Sequence, residues 1–141
     1  MSMRVMIEEA GAFRRWSPVA WLCLLISRRL SRLRPDRLCS VLMSIGRGAR
    51  ESRFDEAQAT RATVCRSSTR ASGMECLERS IAVYLMCRLR GHVPTWCTGF
   101  RVDPFAAHAW VEVDAVPVDE SPEISLYSKA TVVGPTRKAA A

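Results

Sequence analysis

Apolar side chains recur at helical spacing twice in the first third of the chain. Leu22, Leu25, Ile26 and Leu30 share one face, and Leu38, Val41, Leu42 and Ile45 share another. These stripes predict helices over about 18–32 and 35–45, each with its apolar face in the core. Ser17-Pro18 reads as an N-cap with proline at the first helical position, and Pro35-Asp36 restarts the chain after Arg34. Gly46-Arg47-Gly48 breaks the pattern, and the polar, Arg-, Ala- and Thr-rich stretch after it allows a third helix near 54–66. A further helix is predicted over about 74–90. Ser72 and Glu75 have the spacing of a capping box, Glu75 and Glu78 lie in its first turn, Arg88 and Arg90 in its last, and Gly91 stops it. Between these ends Ile81 to Cys87 is apolar on every side, so this helix should be the buried centre of the domain.

Beyond Gly91 the period changes from helical to alternating. Val93 to Arg101 is rich in β-branched and aromatic residues. In His108 to Val113, His108, Trp110 and Glu112 fall on one face and Ala109, Val111 and Val113 on the other. Asp114-Ala115 reads as a turn, with Val116 to Asp119 returning. Helices followed by an antiparallel sheet define an α+β domain. The expected division is a helical N-terminal region over 1–70, a core over 71–128 and a disordered tail over 129–141.

At 141 residues the chain is one domain's length, and 48% hydrophobic with 25% charged residues is ordinary for a globular protein. The net charge of +7 is unevenly spread: the first 70 residues hold 14 of the 21 basic side chains and 6 of the 14 acidic ones. Such a half could meet an acidic partner, nucleic acid or anionic lipid, or could simply be a solvated helix face. Aromatic residues are 7% of the chain and do not interleave with the arginines, which argues against nucleic acid. The apolar run Val19 to Ile26 is too short for a membrane span and is followed by Ser27-Arg28-Arg29, not by a cleavage site. The six cysteines form no Cys-x-x-Cys pair, so a reducing cytoplasm is expected in place of a disulfide framework. Zinc ligation by Cys87, Cys97 and His108 lacks the short spacing such sites favour, and no glycine-rich phosphate loop is present. No cofactor or metal is expected.

One constellation stands out from this background. Cys76 opens the predicted central helix, where unpaired backbone N–H groups and the helix dipole favour a thiolate. His108 follows on a strand between two alanines, with open space for another group to approach its ring. Asp119-Glu120 comes next. Nucleophile, base and orienting acid therefore occur in the order Cys, His, Asp. A two-residue turn pairs Trp110 with Asp119 and sets Asp119 diagonal to His108 on the same face; a three-residue loop would bring Glu120 there instead. Two-residue turns are the commonest hairpin connection, so Asp119 is the expected third member. Glu112 should brace the site, and His92 should lie on the surface or in a loop. Cys23, Cys39, Cys65, Cys87 and Cys97 read as structural thiols.

Three motifs carry a resemblance. Cys76-Leu77-Glu78-Arg79-Ser80, Arg88-Leu89-Arg90-Gly91-His92-Val93-Pro94 and Phe105-Ala106-Ala107-His108-Ala109-Trp110-Val111-Glu112 resemble the transglutaminase-like cysteine peptidases of lasso-peptide biosynthesis, in the stand-alone B2 form. The resemblance spans about residues 72–121. It implies a transglutaminase-like, papain-like core: a helix carrying Cys76 packed on an antiparallel sheet carrying His108 and Asp119, after a helical lead-in. It also implies removal of the leader from a ribosomally made precursor peptide. A separate leader-binding B1 protein and an ATP-dependent lasso cyclase would be its partners. Alternatives are an acyltransferase using the same triad and a non-catalytic, basic helical binding protein. The family usually has glycine where this chain has Ala115.

Overall fold

A computed structural model describes residues 3–68 and 76–135, with side chains for 16–67 and 76–135. Its organising element is α4 (Cys76–Leu89), in which Ser80 through Cys87 are all buried. Each of Ile81, Val83 and Met86 contributes about 1.5–3 kcal/mol by leaving water, far more than helix propensity supplies. The lining is provided by α1 (Met3–Leu30), α2 (Pro35–Gly46) and α3 (Phe54–Ser68) on the helical side and by a sheet opposite. That sheet runs β5-β4-β3-β6, from β3 (Thr95–Arg101), β4 (Ala106–Val113), β5 (Val116–Pro117) and β6 (Ser128–Val133), with every neighbouring pair antiparallel. A separate two-residue parallel pair joins β1 (Arg50–Glu51) to β2 (His92–Val93). The fold is the expected mixture of helices and antiparallel sheet.

Polar tethers fix α4 to its helical neighbours. Tyr84 Oη donates to the Leu42 carbonyl at 2.9 Å, and Arg88 Nε donates to the Ile45 carbonyl at 2.8 Å. Gly46 is required at this crossing, because a Cβ there would collide with the Tyr84 hydroxyl. Leu38 and Leu42 are buried, as their stripe predicts, with Ile45 packed beside them.

The structure departs from the sequence reading in three places. First, α1 runs unbroken through Ser17-Pro18, so the proline lies inside the helix and removes one backbone bond there. Its buried face is Ala20, Cys23, Leu24 and Ser27, while Leu22, Leu25 and Ile26 are 55%, 57% and 43% exposed. Small side chains let α1 approach α3 and α4 closely, and Ser27 Oγ enters the core by donating to the Leu24 carbonyl at 2.7 Å. Second, the tail expected from Lys129 is ordered at its start: β6 pairs with β3 along Trp96 to Phe100. Residues 136–141 lie outside the described residues, as does the capping box from Ser72 to Glu75.

Third, α4 and the turn after it end as predicted, but His92 is buried, not exposed (2% of its surface is accessible). Its Nδ1 meets Ser52 Oγ at 2.6 Å, and its Nε2 lies 3.6 Å from Glu56 Oε2. The third helix allowed near 54–66 is present as α3, 15 residues long, whose first turn uses Glu56 to hold Arg50 through two hydrogen bonds of 2.8 and 2.6 Å.

Burial lowers the His92 pKa below its ordinary 6.5, an effect that Glu56 partly offsets. Hydrogen bonding to Arg50 holds Glu56 well below the usual carboxylate range. Both groups resist protonation in the fold more than in the unfolded chain. Stability contributed by neutral His92 is therefore complete above about pH 6.5 and is lost as pH falls below it; that of ionised Glu56 is lost only below about pH 4.3. Thermal unfolding should show Tm falling between pH 7.5 and 5.5, with a shallower fall in His92→Asn. Equal slopes in the two proteins would remove His92 from this role.

Candidate active site

Cys76 is the first residue of α4, half-buried at the helix start, and it lines a cleft with Arg61, Cys65, Arg79, His108 and Glu120. Ser80, the last residue of the Cys76-Leu77-Glu78-Arg79-Ser80 motif, has a structural task. Its hydroxyl donates to the Leu77 carbonyl at 2.8 Å and accepts from Trp96 Nε1 at 2.9 Å, tying the first turn of α4 to β3. The nucleophile candidate is thus placed by a helix that the sheet itself holds.

His108 projects from β4 into the same cleft. Its Nε2 lies 3.0 Å from Glu120 Oε2, and the other oxygen of that carboxylate is 3.7 Å from Arg61 Nη2 on α3. With Nε2 committed to a carboxylate, the neutral ring has Nδ1 as its basic nitrogen. The imidazole is also wedged between aromatic rings. Trp110 stacks on it with centroids 5.8 Å apart and planes 16° from parallel, and Tyr127 approaches at 5.8 Å. Trp110 in turn donates from Nε1 to Glu112 Oε2 at 2.9 Å, and Lys129 Nζ on β6 meets Glu112 Oε1 at 2.8 Å. The alternation of β4 puts His108, Trp110 and Glu112 on one face, so Glu112 braces the site as the sequence suggests.

The carboxylate beside His108 is that of Glu120, not of Asp119. The Asp114-Ala115 turn does contain two residues, both with positive φ (51° and 62°), and Val113 pairs with Val116. Pairing ends at Pro117, followed by the Val118 N–H to the Val111 carbonyl at 3.0 Å. Asp119 then adopts φ 50°, and the alternation breaks there. Its carboxylate accepts from Gln58 Nε2 at 2.8 Å instead of approaching His108, and Glu120 swings into that place. The turn length was legible; a left-handed residue beyond the strand was not.

The remaining thiols divide by depth. Burial pushes Cys23 and Cys87 up to about 11 and Cys97 up to about 12, so at neutral pH they remain protonated. Arg61, Tyr127 and Lys129 had no signal in the sequence, because each reaches the site from a separate element that spacing could not place. Among the described residues, no three potential metal ligands lie together, and no helix is long and apolar enough to cross a membrane.

A nucleophile candidate at a helix start and a carboxylate-bound histidine on the adjoining strand define a thiol-enzyme architecture. The family model of the transglutaminase-like superfamily matches residues 20–132, and the chain belongs to that superfamily. The match reaches back into the helical lead-in and covers the end of α1 together with α2 and α3. No curated protein and no solved structure matches the chain.

Gly99 sits directly opposite His108 in the β3–β4 pair. A Cβ there would lie 2.7 Å from the Ser128 carbonyl oxygen and 2.8 Å from the Trp110 ring. Gly99→Ala should therefore cost about 1–3 kcal/mol, read as a lowered urea midpoint. It should also change the Trp110 environment in near-ultraviolet circular dichroism. An unchanged midpoint would mean that β6 and Trp110 yield freely.

Proposed function

We propose that this protein is a cysteine peptidase that removes the leader from a ribosomally made lasso-peptide precursor. Cys76 is the nucleophile, His108 the general base and Glu120, in place of Asp119, the acid that orients the imidazole. The observation that carries the reading is the 3.0 Å contact of His108 Nε2 with Glu120 Oε2 beside a cleft that Cys76 also lines. Membership in a superfamily that includes cysteine peptidases and acyltransferases supports it, and the three motifs that resemble the stand-alone B2 peptidases supply the finer assignment.

In this mechanism His108 Nδ1 takes the Cys76 proton, and the thiolate attacks the carbonyl joining leader to core. The negative charge developing on that oxygen faces backbone N–H groups at the start of α4. Imidazolium formed on His108 is stabilised by Glu120 and then gives its proton to the departing amine of the core. Water, activated by the same ring, hydrolyses the thioester and frees the leader. A leader-binding B1 protein would deliver the precursor, and a lasso cyclase would take the released core. An amine in place of water would make the same machinery an acyltransferase.

Cys76→Ala should abolish leader removal with the circular dichroism spectrum intact, since alanine suits a helix start. Glu120→Gln should lower kcat by about a thousandfold or more with little effect on binding, because the imidazolium loses its counter-charge. Asp119→Asn should stay near wild type. Single-turnover cleavage of a lasso precursor, with its leader-binding protein present, measures all three. Full activity in Glu120→Gln with loss in Asp119→Asn would sink the Glu120 assignment, and an active Cys76→Ala would sink the mechanism.

A further inference from the structure

The first turn of α4 carries a second cleft residue that the mechanism leaves unused. Arg79 lies three residues after Cys76, hence on the same side of the helix, and lines the cleft with Cys76 and His108. It is half-buried and makes no ion pair or hydrogen bond among the described residues. The adjacent acid, Glu78, faces Arg28 of α1 at 3.9 Å. Among the described residues, Glu120 is the one carboxylate lining the cleft, and it is already shared between His108 and Arg61. The other described lining groups are the Arg61 guanidinium, the His108 imidazole, the Trp110 indole, two cysteines, a hydroxyl and apolar side chains, none of them a carboxylate. A guanidinium is always protonated, and partial burial without an anion leaves its planar donors unfilled.

We propose that Arg79 is a specificity-determining residue that binds a substrate carboxylate beside the bond Cys76 attacks. The proposal rests on Cys76 being the nucleophile and adds the chemical class of group next to the reacting carbonyl. A carboxylate matches the guanidinium fork in shape as well as charge, with two parallel N–H···O bonds, which a neutral amide cannot reproduce. An acidic side chain of the peptide and a free chain terminus offer the same group.

The test compares alkylation of Cys76 by iodoacetate and by iodoacetamide, which differ by a carboxylate against an amide. Rates are followed by mass spectrometry on the full chain, with 2-mercaptoethanol as the uncharged reference thiol. The ratio of iodoacetate to iodoacetamide rate at Cys76 should exceed the reference ratio by about tenfold. It should fall towards the reference in Arg79→Gln and be partly kept in Arg79→Lys. A wild-type ratio equal to the reference overturns the proposal even if no variant folds, and a raised ratio that survives Arg79→Gln overturns it too. Acetyl-glutamate amide should slow iodoacetamide labelling of Cys76 where acetyl-glutamine amide does not. Protection by N-acetylalanine instead assigns the carboxylate to a chain terminus; equal protection by the glutamate and glutamine amides, with none from N-acetylalanine, counts against carboxylate recognition. Failure of both reagents to label Cys76 overturns the nucleophile assignment itself and this proposal with it, whereas labelling without charge preference overturns this proposal alone.

Discussion

The helix α4 has no wet side along its centre, and the rest of the molecule is arranged around that constraint. Eight consecutive buried residues can neither rotate nor slide without exposing apolar surface or breaking a tether, so the position of Cys76 at the helix start is fixed by what lies behind it. Enclosure also explains the polar groups that reach α4. The Tyr84 hydroxyl, the Arg88 guanidinium and the Ser80 hydroxyl each find a partner in α2, in β3 or within the helix itself. Left unpaired at that depth, each would cost about 1–3 kcal/mol. The same helix thus presents Cys76 at one end and carries its anchors along its length.

How much of this was legible depends on the range of the signal. The buried centre and C-terminal end of α4 follow from its apolar run, Arg88 and Gly91, and the β4 face follows from strict alternation. Both are local, and both hold. The α1 face differs because Leu22, Leu25 and Ile26 look like a core stripe, whereas the helix packs through Leu24 together with the small residues Ala20, Cys23 and Ser27. Close helix contact favours small side chains, a preference that hydrophobicity does not register. His92 was misplaced because its partners, Ser52 and Glu56, lie some forty residues earlier and are brought in by the parallel pairing of β1 with β2. The place of Glu120 beside His108 has a third cause: the expected register holds as far as Pro117, and one left-handed residue then reverses which carboxylate faces the imidazole.

Charges at the site alternate through space in a way that no single element specifies. Lys129 neutralises Glu112, Glu112 holds the Trp110 indole, the indole lies flat on His108, and His108 meets Glu120, which Arg61 flanks. Each carboxylate is approached from one side by a cation and from the other by a ring nitrogen. Glu112 is 3% exposed, and at that depth each of its oxygens is paired, one with Lys129 and the other with Trp110. The ring plane of the histidine is consequently set by stacking, and its rotation by a hydrogen bond.

The sheet order β5-β4-β3-β6 has a consequence for the sequence in which the chain becomes competent during synthesis. Cys76, His108 and Glu120 all leave the ribosome before β6, yet the ammonium that compensates Glu112 is on that strand, seventeen residues after its partner. Until β6 adds alongside β3, the indole behind His108 rests on a carboxylate with no cation, and one edge of β3 stands open to any other strand. The nascent domain would thus hold Cys76, His108 and Glu120 while lacking the support that fixes their geometry. The geometry proposed for catalysis is complete only once a six-residue edge strand has docked, well after those residues have been written into the chain.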